Sequence, residues 1–350
     1  MSNWRIFYTV RSNCGLFDMR KRKALIIILL VLLLCVSVLA GILLGSVSIS
    51  VRDILACLTG RDTDSKNYIL ITAVRIPRVF GGLVAGLGLA TAGVILQGVM
   101  NNALASPNTI GVNSGAGFAV MLSMAFWPGN LTATASMAFL GALITTLLIF
   151  LLAYFSDSSR TTIILAGVTV SSFLSAGINT IKLMDTDITV NMTSFMIGSL
   201  SGITFKKLIL PGYAVIIGVF LACMLAKALN ILGLGDDIAR SLGLRVNLMR
   251  FVLLVIASVL AGVVVSYAGL LSFVGLIVPH ICRRIFGNDN RLLLPCSALL
   301  GGSFVLISDM IGRTLFAPYE LPVGIIMSFL GGPFFLYLLR RRNGGRRVNA

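Results

Sequence analysis

The sequence predicts an all-α, polytopic membrane protein with about ten transmembrane helices, and three observations lead there. Hydrophobic residues make up 57% of the 350-residue chain and charged residues only 11%, about half the charged share of a soluble globular protein. Mean hydropathy is +0.99, which leaves too little polar surface to cover a water-soluble body. The charges that do occur flank long charge-free runs, and a span needs only about 20 apolar residues to cross the hydrocarbon. The net charge of +16, from 28 Lys and Arg against 12 Asp and Glu, fits basic residues collecting at the cytosolic ends of spans. No basic stretch is interleaved with aromatic residues, which argues against nucleic acid as a partner.

Residues 1–23 form a basic cytosolic segment ending in Arg20-Lys21-Arg22-Lys23, and 24–45 form the first span. A signal peptide would have a shorter apolar run ending in a small-residue cleavage site, so this one reads as a retained helix. No charge occurs between Val79 and Ser156, which leaves room for about three spans. They are broken at Asn101–Pro107 and at Trp127–Asn130. Further spans fall near 161–183, 208–228, 292–313 and 321–339. The run 251–282 fits either one long tilted helix or two helices joined near Ala268-Gly269. Parity decides: Arg340, Arg341, Arg342, Arg346 and Arg347 lie near the C-terminus, so both termini belong in the cytosol and the number of spans is even. The run is therefore read as two spans. The helical domain covers 24–340, with a long cytosolic loop at 229–250, and 341–350 is a basic cytosolic tail. Gly82-x-x-x-Gly86 and Gly111-x-x-x-Gly115 are helix-packing patterns. The span leading to Pro107 resembles the one leading to Pro279, an echo of an inverted internal repeat.

Much chemistry is missing. The six cysteines form no CxxC pair and His280 is the single histidine, so neither a disulfide framework nor a protein-borne metal is expected. No lysine follows a glycine, which excludes a G-x-x-x-x-G-K-[ST] phosphate cradle. G-x-S-x-G and HExxH are absent too. The chain is not expected to be an enzyme or to bind a cofactor; if ATP energises its action, another polypeptide hydrolyses it.

Four constellations stand out. Arg75-Ile76-Pro77-Arg78 is placed at the outer entrance of the second span, where Pro suits a first helical turn. It reads either as interfacial anchors or as a functional pair of external cations. Asp309 and Arg313 form an i, i+4 pair near the outer end of the ninth span, which lowers the cost of an intramembrane carboxylate. In the loop Leu232–Arg250, Asp236 and Asp237 start a short helix, Ile238, Ala239 and Leu242 share one face, and Gly243 closes it. That helix either docks a cytosolic partner or lies in the lipid interface. Finally, Pro279 kinks a span near its inner end beside His280, Arg283 and Arg284.

In this order, these elements resemble the permease subunits of ATP-binding-cassette importers for iron–siderophore, haem and vitamin B12, from about residue 50 to 340. Arg75-Ile-Pro-Arg78 is similar to that family's R-[LI]-P-R. Asn102-Ala-Leu-Ala-Ser-Pro107, Phe273–His280, Asp309 with Arg313, Glu320-Leu-Pro322-Val-Gly324 and Gly331-Gly-Pro-Phe334 complete the pattern. The chain departs from it at Ala103, where Pro is usual, and at Asn101, where a basic residue is common. The resemblance implies a permease of about ten spans paired with a second, identical or paralogous subunit. Two ATPase subunits carrying ATP and Mg would dock below, and a substrate-binding protein outside. It implies that Arg75, Arg78 and Arg313 meet acidic residues of the binding protein. Asp236, Asp237, Ile238, Ala239, Leu242 and Gly243 would form the ATPase coupling helix, and Asn102, Leu104, Thr161 and Thr162 a cytosolic gate. Pro107, Pro279, His280, Asp309, Glu320, Pro322 and Gly324 are its structural motif positions. The competing expectation is an ion-driven secondary transporter using Asp309 or Glu320.

Overall fold

Where no water can satisfy a backbone, each segment must close its own hydrogen bonds, and the helix does so. In the computed structural model, which describes residues 3–47, 49–50, 52–54, 66–155 and 160–344, no strand occurs among the described residues. The helices are α1 (Asn3–Leu43), α2 (Lys66–Val99), α3 (Val112–Phe126), α4 (Leu131–Phe155), α5 (Arg160–Met184), α6 (Thr186–Ile197) and α7 (Phe205–Met224). They continue as α8 (Ala226–Leu232), α9 (Asp236–Ser241), α10 (Val246–Ala268), α11 (Val274–Phe286), α12 (Asn290–Thr314) and α13 (Val323–Gly344). Seven segments are long and apolar enough to cross a membrane: Arg22–Leu43 of α1, all of α2, α4, α7, α10 and α12, and Thr161–Met184 of α5. α3 and Val323–Leu336 of α13 are shorter apolar helices.

The run 251–282 divides at Gly269–Phe273 between α10 and α11, but α11 is a helix of 13 residues and is not among the seven segments of spanning length, against the two spans and about ten in all that were expected. Three boundaries differ from expectation. The second span begins at Lys66, well before Val79, and takes in Arg75 and Arg78. Those cations are tolerated inside the helix because internal acceptors satisfy them, carboxylates for Arg78 and backbone carbonyls for Arg75. α6 was not expected, since its mixed composition hides the Asp185 N-cap, which accepts from the N–H groups of Asp187 and Ile188. The span expected at 208–228 stops at Met224, and α8 follows as a separate helix.

α2 is the central helix, buried along most of its length, with α12 and α10 beside it. Lipid tails are as apolar as leucine, so close backbone packing must replace the hydrophobic effect between helices. α2 and α12 meet backbone to backbone: a Cβ at Gly86 would lie 2.1 Å from the Gly301 carbonyl oxygen, and one at Gly301 would lie 2.4 Å from that of Gly86. α10 meets α4 less closely at Gly262, where a Cβ would lie 3.1 Å from the Ala142 methyl group. α2 and α10 run antiparallel, since Gly81 accepts from Tyr267 Oη at 2.9 Å while Gly88 faces Leu260 and Val264. Thus α2 pairs with α12 as α10 pairs with α4, in opposite chain directions, as an inverted repeat requires. The outward faces of α4 (Leu140, Ile144, Leu148) and α7 (Ile209, Ile216, Phe220) are exposed and apolar, as lipid contact demands.

Gly86→Val should destabilise the bundle by about 3 kcal/mol or more, since backbone atoms cannot move aside as side chains do. Gly212→Ala, with open space around it, should stay within about 0.5 kcal/mol of the parent. Thermal unfolding in detergent would show the contrast.

Candidate functional site

One end of the bundle carries an ionic cluster. The start of α2 widens to π geometry over Leu70–Arg75, a local rewinding frequent at functional sites. Arg75 and Arg78, three residues apart, then point into the protein. Arg75 Nη1 donates to the carbonyls of Ile42 (3.0 Å) and Leu43 (2.9 Å), and Nη2 donates to that of Val47. It thereby caps the C-terminus of α1, whose last turn has no basic residue of its own. Arg313 assists by donating from Nη2 to the Gly41 carbonyl at 3.1 Å. Arg78 grips Asp309 through Nε and Nη2 at 3.1 and 2.9 Å, and Arg313 Nε lies 3.0 Å from the same carboxylate. Glu320 completes the cluster, accepting from Arg78 Nη1 at 2.6 Å and from Ser46 Oγ at 2.7 Å. Burial alone would lift the Glu320 carboxyl, but these donors outweigh it and hold the group below its ordinary range.

The three arginines expected to dock a partner are turned inward. Arg75, Arg78 and Arg313 are 4%, 5% and 3% exposed, and their guanidiniums hold internal acceptors. They fasten α1, α2, α12 and the segment before α13 to one another, and with Ser46, Val47 and Glu320 they line a small recess at this end. Pro322 leads into α13, where Gly324 N–H donates to the Gly198 carbonyl at 3.2 Å. A Cβ at Gly324 would lie 1.7 Å from the Ile197 carbonyl oxygen, so that position requires glycine.

At the opposite end, α9 stands out from the bundle. Asp236 pairs with the buried Arg250 of α10 at 2.7 Å, which fixes the helix at its base. Gly243 ends it with φ +81°, its N–H donating to the Arg240 carbonyl while Leu244 N–H donates to that of Ala239. The shared apolar face read from the sequence is split. Ala239 is fully buried against the chain's own core, whereas Ile238 and Leu242 are 50% and 60% exposed, with Leu234 beside them. Asp237 sits in the first turn, where its charge complements the helix dipole. Space around Gly243 is open.

Between the two ends, both halves of the bundle have broken backbone. After α2 the chain turns at Asn101 (φ +46°). Asn102 Oδ1 then accepts from the Leu104 N–H, and Pro107 opens a short 3₁₀ turn capped by Ser106. After α10 it breaks at Gly269 to Phe273, whose φ of +66° is strained for a bulky residue. The two breaks converge: Gln97 Nε2 donates to the Gly275 carbonyl at 3.2 Å, and Pro107 lies within 3.5 Å of a Cβ built on Gly275. Gly331 of α13 makes room for the Phe273 ring, which a Cβ there would strike at 2.2 Å. Pro279 is buried within α11, and His280 packs edge-on against Phe334 with ring centroids 6.1 Å apart. Beside the 3₁₀ turn lies an open cavity of about 640 Å³ lined by Asn108, Thr109, Ser171, Ser172, Ser175 and Asn179. Gly167 packs against Thr109, bringing the start of α5 with Thr161 and Thr162 toward the turn that holds Asn102 and Leu104. The polar stripe of α5 escaped the sequence reading; the i, i+4, i+8 spacing of Ser171, Ser175 and Asn179 is the signal that could have shown it. The cavity is an open groove along α5, where Ile164, Gly167, Val168 and Ala176 share the lining with these polar side chains, beside the broken helices that a solute path needs.

Fold and cavity together define a multi-pass membrane transport protein. The chain matches the FecCD transport family over residues 29–341, and it belongs to that family. It is 34% identical to the Fe(3+)-citrate import system permease protein YfmE of Bacillus subtilis, covering 92% of this chain and 96% of that one. It is 33% identical to the hemin transport system permease protein HmuU of Yersinia pestis, covering 93% and 98%. A solved structure described as an inward-facing conformation of a metal-chelate type ABC transporter superimposes with a TM-score of 0.80 at 28% identity, covering 91% of this chain and 99% of that one.

Asp309→Asn should destabilise the protein by about 3–5 kcal/mol, because two buried guanidiniums lose their shared counter-charge. Glu320→Gln, at a side chain 31% exposed, should cost about 1 kcal/mol or less. Chemical or thermal unfolding of the two variants tests that order. Because the folded Glu320 carboxyl is depressed, its share of stability is present above the ordinary carboxylate range and is lost as pH falls through the lower folded value.

Proposed function

We propose that this chain is the permease subunit of an ATP-binding-cassette importer for an iron chelate, either a siderophore or a related haem or cobalamin-type metal chelate. It works with a second permease subunit, two cytosolic ATPase subunits that bind ATP and Mg, and an extracytoplasmic binding protein. We place it in the cell membrane with both termini cytosolic, so that α9 faces the cytosol and the ionic cluster the outside. The observation that carries the reading is α9: a short helix anchored by an ion pair at its base, with Ile238 and Leu242 left half or more exposed among the described residues. The kinship with import permeases supplies the occupant, an ATPase subunit.

Movement would follow alternating access, with nucleotide-driven closure of the ATPases displacing α9 and opening the α5 cavity to alternate sides. The lining is uncharged, mixing apolar residues with serine, threonine and asparagine side chains, and suits passing a cargo that another protein has already selected. Asn102, Leu104, Thr161 and Thr162 are assigned to the cytosolic gate. The binding protein would dock at the ionic-cluster end through surface groups other than the three buried arginines. An ion-driven mechanism is disfavoured because Asp309 and Glu320, the carboxylates it would use, are both held in ion pairs.

In proteoliposomes containing the ATPase subunits and binding protein, ferric hydroxamate, ferric citrate and haem are the cargoes to offer. Uptake of at least one should require ATP, whereas uptake on an ion gradient alone would refute the proposal. Ile238→Asp combined with Leu242→Asp should lower ATPase co-purification by about tenfold or more, the loss of a central apolar contact. Undiminished co-purification would remove α9 as the docking element.

A further inference from the structure

The end of the chain that carries α9 is tied to the bundle in two places. One is Asp236–Arg250, which joins α9 to α10. The other is centred on Asn230, near the end of α8. Its Nδ2 donates to Asp289 Oδ1 at 2.7 Å, and its Oδ1 accepts from both the backbone N–H and the side-chain amide of Asn290, at 2.8 Å each. A carboxylate on one side and two donors on the other leave one orientation for the amide. Asp289 is also the N-cap of α12, accepting from the Arg291 N–H at 3.1 Å. Neighbouring Leu229 is buried and lies where a Cβ on Gly98 of α2 would strike it.

α12 is therefore held along its whole length. Asn230 grips its first residues, the Gly86–Gly301 contact pins its middle, and Asp309 and Arg313 lock its far end into the ionic cluster. Pro295 interrupts its hydrogen-bond ladder between the first two attachments, so the contacts of Asn230 are what fix the turn before it to α8.

We propose that Asn230 is a positioning residue that passes movement of α9 into α12, and so to residues 309–322 at the opposite end of the bundle. The proposal rests on α9 being the ATPase docking helix. Removing the Asn230 side chain leaves Asp236–Arg250 in place, so docking survives while the direct polar link from α8 to the start of α12 is lost. The Asn230 donor, followed by the Arg291 N–H, holds the Asp289 carboxyl below its ordinary range. The carboxylate therefore stays charged near neutral pH, and its contribution fails only as pH falls through that lowered value.

The test is hydrogen–deuterium exchange across 309–322 in the complex assembled with its ATPase subunits, nucleotide-free and trapped with ATP and orthovanadate. The parent complex should show a trapping-dependent difference there. In Asn230→Ala that difference should shrink by about fivefold or more, the scale of a typical coupling between sites, while ATPase co-purification and hydrolysis persist. Asp289→Ser keeps a competent N-cap but removes the acceptor, and should shift the result in the same direction. An undiminished difference in both variants overturns the proposal. So does a loss that comes only with lost assembly or hydrolysis, which would make Asn230 merely a scaffold residue. A parent complex with no difference, despite ATPase association, refutes transmission from α9 itself; failure of the ATPases to associate refutes the docking reading.

Discussion

A carboxylate shared by two buried arginines sits where four parts of the chain meet. Asp309 lies between Arg78 and Arg313, and all three side chains are almost wholly withdrawn from solvent. Taking such charges out of water costs several kcal/mol each, so the arrangement holds only while every member keeps its partners. That constraint fixes the start of α2 against the end of α12. Through Arg75 it also closes the C-terminus of α1, where carbonyl oxygens and the negative end of the helix dipole take the place of a third carboxylate. Glu320 and Ser46 extend the network to the segment entering α13.

The two ends of the bundle use polar groups in opposite ways. At the ionic cluster, charge is turned inward and holds helix termini together. At α9, the ion pair lies at the base and the apolar residues are left outside. The first arrangement resists movement; the second offers a handle. Between them, two interruptions of regular helix meet at Pro107 and Gly275 beside an uncharged cavity. Backbone that leaves the helix at this depth needs either protein or water around it, and both are supplied where the breaks converge.

Much of this was legible in the residues. The charge-free runs located most of the spans, the turn near Ala268-Gly269 separates two helices within 251–282, and the Pro107 segment marked one backbone break; Pro279 lies inside α11, and the second break precedes it at Gly269–Phe273. Other features were not. Asp309 with Arg313 was visible as an i, i+4 pair, but the contact of Asp309 with Arg78 joins residues distant in the chain, which no local pattern encodes. The inward direction of Arg75 was hidden for the same reason: its acceptors are carbonyls, and sequence does not say which carbonyls lack partners. Ala239 was grouped with Ile238 and Leu242 by helical spacing, yet a six-residue helix lying on a core divides its faces according to what lies beneath it.

Composition and spacing alone determined that the chain is a bundle of apolar helices with no nucleotide-binding motif of its own, because hydropathy and motif chemistry are properties of neighbouring residues. Only the tertiary structure decided which polar groups would be spent inside and which left for other molecules. That choice depends on the pairing of distant charges and on the closeness of glycine-lined helices, and both exist only once the chain has folded.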